Sequence, residues 1–571
     1  MKSNFITSMI VFLIFTSNIY QPAYSQSDEN QGYKKIAVYF TDKNNSPYSL
    51  TEPEKFLSVR AIERRQKAGI KINITDIPVN PNYIQSIQQL GGEYIAKSNW
   101  SNWAVFRFSN DFDLSKISSL SHVKKIVEII RSKNAKPNKM IAGNELTEKK
   151  SYLKAFEKDN FSTTPTPDYG DSYNQIKMLG MDYLHSKGYM GEGIVIAVLD
   201  GGFLRVDELP AFHSIRENGQ ILGTWDFVEN ESSVYEDLSH GMMVLSTMAG
   251  FVNGKIVGTA PKAKYWLLRT EDGATETVAE EYYWEAGAVF ADSAGADIIN
   301  SSLGYTKFDD DIGSHTYSDM NGNTTVVTRA ADWAASKGIL VVNSAGNEGN
   351  KGWKYIGAPA DGDSVLAIGA VNSERNIASF SSRGPSFDQR IKPDVCAQGE
   401  GTTLSSTDGQ IIRGNGTSFS GPLIAGSAAS LWSANPTATS MEIFNAIRQS
   451  ADRYNKPDFD YGYGIPNFGY ADLILKKSNS SSYYKNQKLK VYPSPNNSGI
   501  VYTDFFAQKA EELIIDVIDI NGRTIASQKL NVLANSMNHI SVNLGDNRAS
   551  GVYTLRIVDG KNKFSEKFII N

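Results

Sequence analysis

The sequence predicts an α/β fold, a doubly wound parallel sheet, preceded by an α+β unit of ferredoxin-like pattern and followed by a small all-β sandwich. Three observations predict it. Mid-chain apolar runs, residues 194–199 and 338–342, end in polar or acidic residues followed by glycine. Buried parallel strands that present groups at their C-terminal ends have this form. Toward the N-terminus, strand-like and helix-like segments alternate, as in a split βαβ module. Toward the C-terminus, short alternating strands are spaced by turns, with Asn521-Gly522 as a hairpin signal. At 571 residues the chain exceeds one domain. Its 41% hydrophobic and 21% charged content suits folded globular units. A net charge of −5 is too mild to argue for nucleic acid.

The elements follow in order. Residues 1–25 read as a signal peptide: Lys2, the apolar run 9–15, then Ala23-Tyr24-Ser25 before the expected cut. Residues 26–133 form the α+β domain. Strand 35–40 opens it, and 52–67 has helical character with Arg60, Glu63 and Arg64 on a polar side. Helix 81–90 ends at Gly91-Gly92, strands 93–97 and 102–108 follow, then helix 114–120 and strand 123–130. Residues 134–170, polar and containing Thr163-Thr-Pro-Thr-Pro167, read as a linker with a processing site, because exposed polar segments are nicked most readily. Residues 171–475 are the α/β domain, entered through an amphipathic helix over 171–189. A polar linker, 476–486, leads to the sandwich at 487–571, with strands at 489–492, 512–520, 523–529, 539–544, 551–558 and 563–570. No segment after the leader is long and apolar enough to span a bilayer. The single cysteine, Cys396, has no disulfide partner within the chain and reads as a buried small residue.

Four segments of the α/β domain carry chemistry. The run 195–199 delivers Asp200 before Gly201-Gly202. His240 opens a small apolar stretch, 241–250, fit for a buried helix, which places the imidazole on its first turn facing Asp200. Ser418 stands in Gly416-Thr417-Ser418-Phe419-Ser420-Gly421-Pro422, a tight turn into a second buried helix. Asn347 follows strand 338–344 in Ala345-Gly346-Asn347, where its amide can donate to an oxyanion. Each alone is an ordinary turn or capping feature. Together, in the order Asp, His, Ser, they describe acyl transfer through a serine nucleophile.

These blocks resemble the subtilisin-like serine proteases over roughly residues 170–475, and so do Ile299-Asn-Ser-Ser-Leu-Gly304, Gly258-Thr-Ala-Pro261, Ser381-Ser-Arg-Gly-Pro385 and Lys392-Pro-Asp394. The resemblance implies Asp200 as orienter, His240 as general base and then acid, Ser418 as nucleophile and Asn347 as oxyanion donor. Ser302, Leu303 and Gly304, with Ser344, Ala345 and Gly346, would edge a cleft for an extended polypeptide substrate. It implies no required cofactor, a monomer, and an N-terminal propeptide acting as intramolecular inhibitor. Many members use calcium as a stabiliser, which makes Asp309, Asp311 and Asp319 in the insertion after Gly304 weak candidates. Their glycine falls in the wrong place for an EF-hand loop, so a solvated or specificity loop is preferred. Gly201 stands where the family usually has Ser or Thr, Met242 where it has Thr, and Phe419-Ser420 where Met-Ala is commoner. None of these removes a catalytic group. Val491-Tyr-Pro-Ser-Pro495, residues 517–523, Ala549-Ser-Gly-Val-Tyr553 and residues 567–570 resemble the C-terminal sorting domains of type IX secretion. That implies export across inner and outer membranes, to the medium or the cell surface, with the secretion machinery as partner. The alternatives are a catalytically silent adhesin on the same scaffold, or an esterase or peptide ligase with the same residues.

Overall fold

The computed structural model describes residues 32–131, 146–149, 167–236, 238–477, 480–545 and 549–571. The expected leader, 1–25, and most of the expected linker, 134–170, lie outside these residues. Within that linker, Leu146–Lys149 pairs antiparallel with Ile411–Gly414.

The N-terminal domain is a four-stranded antiparallel sheet of β1 (Tyr33–Phe40), β2 (Glu93–Ser98), β3 (Trp103–Ser109) and β4 (Val123–Arg131), ordered β2-β3-β1-β4. This is the ferredoxin-like order. Alternate residues of β1 serve two cores, because successive strand side chains point to opposite faces. Ile36 and Val38 pack with Phe106, Phe108, Ile87 and Ile117 under helices α2 (Pro81–Gln88) and α3 (Ser115–Ser118). Ala37, with Ile95, Trp103 and Val105, joins a core shared with the following domain. Helix α1 (Val59–Ala68) meets most closely the helix Ala279–Ala294 of the following domain and the turn Pro53–Lys55. The face expected to be polar is also partly covered, since Arg64 and its neighbour Arg65 are buried. Sequence periodicity sees the charges but not the surface that receives them.

The central domain carries seven parallel strands: β5 (Val195–Asp200), β6 (Ile221–Asp226), β7 (Lys264–Arg269), β8 (Ile298–Ser301), β9 (Leu340–Ser344), β10 (Val365–Val371) and β11 (Val395–Gln398). Their order is β11-β10-β9-β8-β5-β7-β6. The winding reverses between β5 and β8, and open α/β sheets place their sites at the C-terminal ends beside such a switch. Ile196 and Val198 face a core that includes Leu245 and Leu423, while Ala197 and Leu199 face one that includes Tyr283 and Ala331. The stretch 171–189 is not one helix. It breaks at Gly180, φ +68°, into α4 (Tyr173–Met178) and α5 (Met181–Ser186). A Cβ at Gly180 would lie 2.6 Å from Asn467 Nδ2, so the close approach as well as the backbone requires glycine.

The C-terminal domain is two antiparallel sheets over one apolar core. One pairs Ile500–Ala507 with Ser536–Asn543; the other orders Thr524–Val532, Glu511–Ile518, Gly551–Asp559 and Asn562–Ile570. Two expectations are corrected. The stretch 489–492 contributes only a bridge, Tyr492 to Tyr502, and the strand 500–507 was not anticipated. The 476–486 linker contains a helix, Ser480–Asn486, whose Tyr483 and Tyr484 meet Phe506 and Phe505. The Asn521-Gly522 turn is wider than two residues: Asp519 Oδ1 accepts from the N–H groups of Asn521 (2.8 Å) and Arg523 (2.9 Å), with Gly522 at φ +81°.

Candidate active site

Asp200 ends β5 and is completely buried. Its Oδ1 accepts from His240 Nδ1 at 2.8 Å and from the Gly201 N–H at 2.8 Å. His240 is the first residue of helix α6 (His240–Ala249). Helix and strand meet this closely because residue 241 is glycine: a Cβ there would lie 2.5 Å from Gly202 O and 2.8 Å from Asp200 Cβ. The unusual Gly201 has a similar cause. A Cβ on it would fall 2.8 Å from Leu238 Cδ1, so Leu238 fills the space a side chain would take. Asp200 Oδ2 is buried and accepts no hydrogen bond from any described group.

Ser418 is the second residue of a long buried helix, α7 of the site's frame (Thr417–Ala434), entered through Gly416 at φ +153°. Its Oγ lies 3.5 Å from Ser302 O. Pro422 sits one turn on and has no N–H, so the Ser418 carbonyl loses its regular helical donor. Ser302 Oγ replaces it at 3.0 Å. Asn347 is held by its oxygen, which accepts from Thr417 N–H and Thr417 Oγ1, both at 2.9 Å. Thr417 Oγ1 in turn accepts from Gly346 N–H at 3.2 Å. With its oxygen so used, the Asn347 amide points Nδ2 elsewhere. A Cβ placed on Gly416 would lie 3.6 Å from both Asn347 Nδ2 and Ser418 N. The glycine thus leaves a small space flanked by two N–H donors beside the serine, an arrangement that can hold a developing oxyanion.

The expected cleft edges leave the sheet side by side at the ends of β8 and β9. Ser302, Ser344 and Ala345 are buried, Leu303 and Gly346 half-buried, and Gly304 exposed. Asn343, which sequence reading passed over, ties the two edges: its Nδ2 donates to Leu303 O (3.0 Å) and Ser344 O (2.8 Å). An Asn inside an otherwise apolar strand was the available signal, since a buried amide must be spent on partners.

The insertion after Gly304 is solvated along its acidic part, with Lys307, Asp309, Asp311 and Thr316 exposed, but it is pinned by a few buried apolar side chains. Tyr305, Phe308 and Met320 are buried, Tyr317 donates to Pro385 O at 2.9 Å, and His315 Nε2 meets the buried Glu281. Its three acids do not assemble. Asp309 accepts from Glu276 N–H (3.1 Å), the exposed Asp311 faces Lys307 (3.6 Å), and Asp319 caps the turn at Thr316. This donor set does not fit a calcium site. Among the described residues, the acid group that does converge is Glu271, Glu276 and Glu280, with oxygens within 4.8 Å of one another. Tyr305 donates to Glu271, and Glu280 accepts from the N–H groups of Asp272 and Thr277. Burial first, then the neighbouring carboxylates, raises Glu271 and Glu280 well above the usual range.

Comparison with known proteins gives these features a family. Residues 191–464 match the profile described as Subtilase family, residues 35–145 the Peptidase S8 propeptide domain of Bacteroidota, and residues 490–571 the secretion system C-terminal sorting domain. Subtilisin from Bacillus pumilus is 33% identical over 288 residues, half of this chain and 92% of the relative. Subtilisin E from Bacillus subtilis is 33% identical over 288 residues, 50% of this chain and 67% of its own length. A thermostable alkaline protease from Halalkalibacterium halodurans is 29% identical over 325 residues, 56% of this chain and 77% of its own. The sorting domain directs export across the outer membrane, and no described helix is long and apolar enough to cross a membrane. The chain belongs to the subtilase family of peptidases, with the family's propeptide domain before the catalytic domain and a secretion sorting domain after it.

Proposed function

We propose that the chain is an exported serine endopeptidase that uses Asp200, His240, Ser418 and Asn347. The reading is supported by the Asp200–His240 hydrogen bond, the two N–H donors beside Ser418, and the His240 ring lying 6.2 Å from that of Phe419, the residue after Ser418. A peptide lies extended between residues 302–304 and 344–346, its backbone bonding to both edges as an added strand. Ser418 Oγ attacks the scissile carbonyl carbon while His240 Nε2 takes the hydroxyl proton. Asp200 holds Nδ1–H and favours the imidazolium that forms. The carbonyl oxygen, now negative, lies between Asn347 Nδ2 and Ser418 N–H. The C–N bond breaks as His240 returns its proton to the departing amine. Water, deprotonated by His240, then attacks the acyl-enzyme and frees the acid and the serine. The reaction so written uses protein groups and water alone. The propeptide domain acts as an intramolecular inhibitor, and the linker that follows it is cut during maturation.

The test is expression of residues 26–571 beside a Ser418→Ala variant, with intact-mass analysis over time. Native chain is expected to lose the N-terminal domain and to take up a fluorophosphonate, and the variant to do neither. Peptide hydrolysis should fall by about 10⁶ in the variant, as removal of the nucleophile does in subtilisin. A native chain that stays whole and unlabelled overturns the reading and favours a silent scaffold. Labelling without cleavage of any protein substrate points to an esterase.

A further inference from the structure

The two-stranded sheet of the C-terminal domain, Ile500–Ala507 with Ser536–Asn543, has both of its faces covered. Successive residues of a strand point to opposite sides. Val501, Phe505 and Ala507, with Ile540 and Val542, face the domain's own core. The residues that alternate with them face the catalytic domain. On that side Phe506 stands opposite Met537, and Asp504 opposite His539. Phe506 and Met537 are at most 2% exposed and belong to the same apolar cluster as Leu184, Phe468 and Ala471 of the catalytic domain. An apolar pair on the outer face of a free domain is a liability. Here the catalytic domain covers it.

The receiving surface is built from both ends of the catalytic domain. Helices α4 and α5 supply one side, and the helix Phe468–Leu475 supplies the other. Asn467, the N-cap of that last helix, accepts from the Met537 N–H (3.2 Å) and donates to Met537 O (3.3 Å). Gly469 lies so close that a Cβ on it would overlap Met537 Cβ and stand 2.9 Å from Met537 Cγ. The Tyr470 and Phe506 ring centres are 5.5 Å apart. Charges cross the seam at its rim. Lys177 donates to His539 O (2.6 Å) and to Asp182 Oδ2 (2.6 Å), and Lys187 donates to Asp504 Oδ2. Asp504 Oδ1 accepts from His539 Nδ1 at 2.8 Å.

Asn467 also presses on Gly180, between α4 and α5. One side chain therefore touches the first helices of the catalytic domain, its last helix and the C-terminal domain. These segments are nearly three hundred residues apart, and the C-terminal domain lies across both. We propose that the C-terminal domain, besides directing export, is a clamp: docked through Phe506 and Met537, it holds the first and last helices of the catalytic domain together. The surface it occupies exists only when both ends of the catalytic domain are folded. The domain that directs export is thus seated on a folded peptidase, and its departure loosens that peptidase. None of this depends on which residues carry out catalysis.

The test uses the full chain with Ser418→Ala and a site-specific endoprotease sequence inserted between residues 477 and 480. The chain is cleaved there and passed through gel filtration with mass detection at a series of concentrations. With the native seam the C-terminal piece should elute with the rest. Met537→Asp should weaken its retention about a hundredfold or more, the scale on which an unpaired carboxylate in an apolar contact acts. The catalytic domain freed in this way, itself unaltered at the seam, should melt about 3–6 °C lower than the docked one. Lys177→Ala with Lys187→Ala, at the half-exposed rim, should weaken retention about two- to tenfold. Gly469→Ala probes the seam from the catalytic side and decides the matter if Met537→Asp disrupts the C-terminal domain itself. Glycine to alanine within a helix is ordinarily stabilising, so docking predicts the opposite sign: a lower melting temperature in the uncut chain and retention at least about tenfold weaker after the cut. Separation of the pieces with the native seam, an unchanged melting temperature once they part, or a Gly469→Ala chain that melts higher than the parent overturns the proposal. Because Ser418 is absent throughout, failure of the peptidase mechanism would imitate none of these results.

Discussion

The two ends of the central sheet use polar residues for opposite purposes. At the C-terminal ends, Asp200, Ser302, Asn343, Asn347 and Thr417 form short-range hydrogen bonds that fix one another's direction. Little net charge is spent, and the groups left free face a small open space. At the N-terminal ends, Asp292 and Lys337 are closed off by charges from a different domain. The first arrangement is complete within the catalytic domain. The second is complete only while the propeptide domain is present. Preorganisation for chemistry and retention of a partner are thus separated along the strands by the length of the sheet, and a substitution at one end should leave the other's readout unchanged.

Asn347→Ala breaks the comparison most strongly if it is wrong. It removes one of the two donors around the Gly416 space without touching the base of the sheet. The turnover number should fall about a hundred- to a thousandfold, the loss seen when an oxyanion-hole amide is removed. Retention of the cut propeptide domain should not change. A loss of both would mean that the two ends communicate.

Ser302→Ala should act at the same end with a smaller effect. It leaves the Ser418 carbonyl without the donor that replaces the missing Pro422 N–H. An unmet buried carbonyl costs about 1–3 kcal/mol, and if about half of that reaches the transition state, kcat/KM falls roughly two- to thirteenfold. Pro422→Ala restores a helical N–H to that carbonyl. The double variant Ser302→Ala, Pro422→Ala should therefore recover part of the loss, and a strictly additive result would remove the coupling argued here.

How much of this was legible in the sequence divides along the same line. The upper end could be read because its groups are set by their own neighbours: an apolar run ending in Asp200, a glycine after His240, and small residues around Ser418. Local chemistry dictates local geometry there. The base could not be read. Arg64 and Arg65 look like any solvated helical face until Asp292, more than two hundred residues on, is placed beside them. The same limit explains the strand at Ile500–Ala507, whose partner Ser536–Asn543 lies beyond the intervening hairpin. It also explains the break at Gly180, which is required by Asn467. Leu238, which excludes a side chain at Gly201, is a fourth instance.

The smallest effect should come from the insertion that follows Gly304 beyond the C-terminal end of β8, and it tests whether that insertion belongs to the site. Burial opposes charge on His315, but its hydrogen bond to Glu281 and the charge of that carboxylate outweigh it and raise the imidazole above its ordinary value near 6.5. A raised imidazole stabilises the fold fully below its unfolded value and loses that contribution as pH rises through its folded value. His315→Ala should therefore lower the melting temperature by about 1–3 °C at pH 5.5, the scale of a fraction of 1 kcal/mol to about 1 kcal/mol in a domain this large, and by less at pH 9. Glu281 also accepts from the Val327 N–H at 3.0 Å, a bond that does not depend on His315, so part of the carboxylate's role should survive at every pH. If the insertion serves only to hold the cleft wall, kcat/KM toward short peptides should follow the same pH-dependent difference while propeptide retention stays constant. A pH-independent difference in melting temperature would show that His315 acts through packing against Phe308 rather than through its charge.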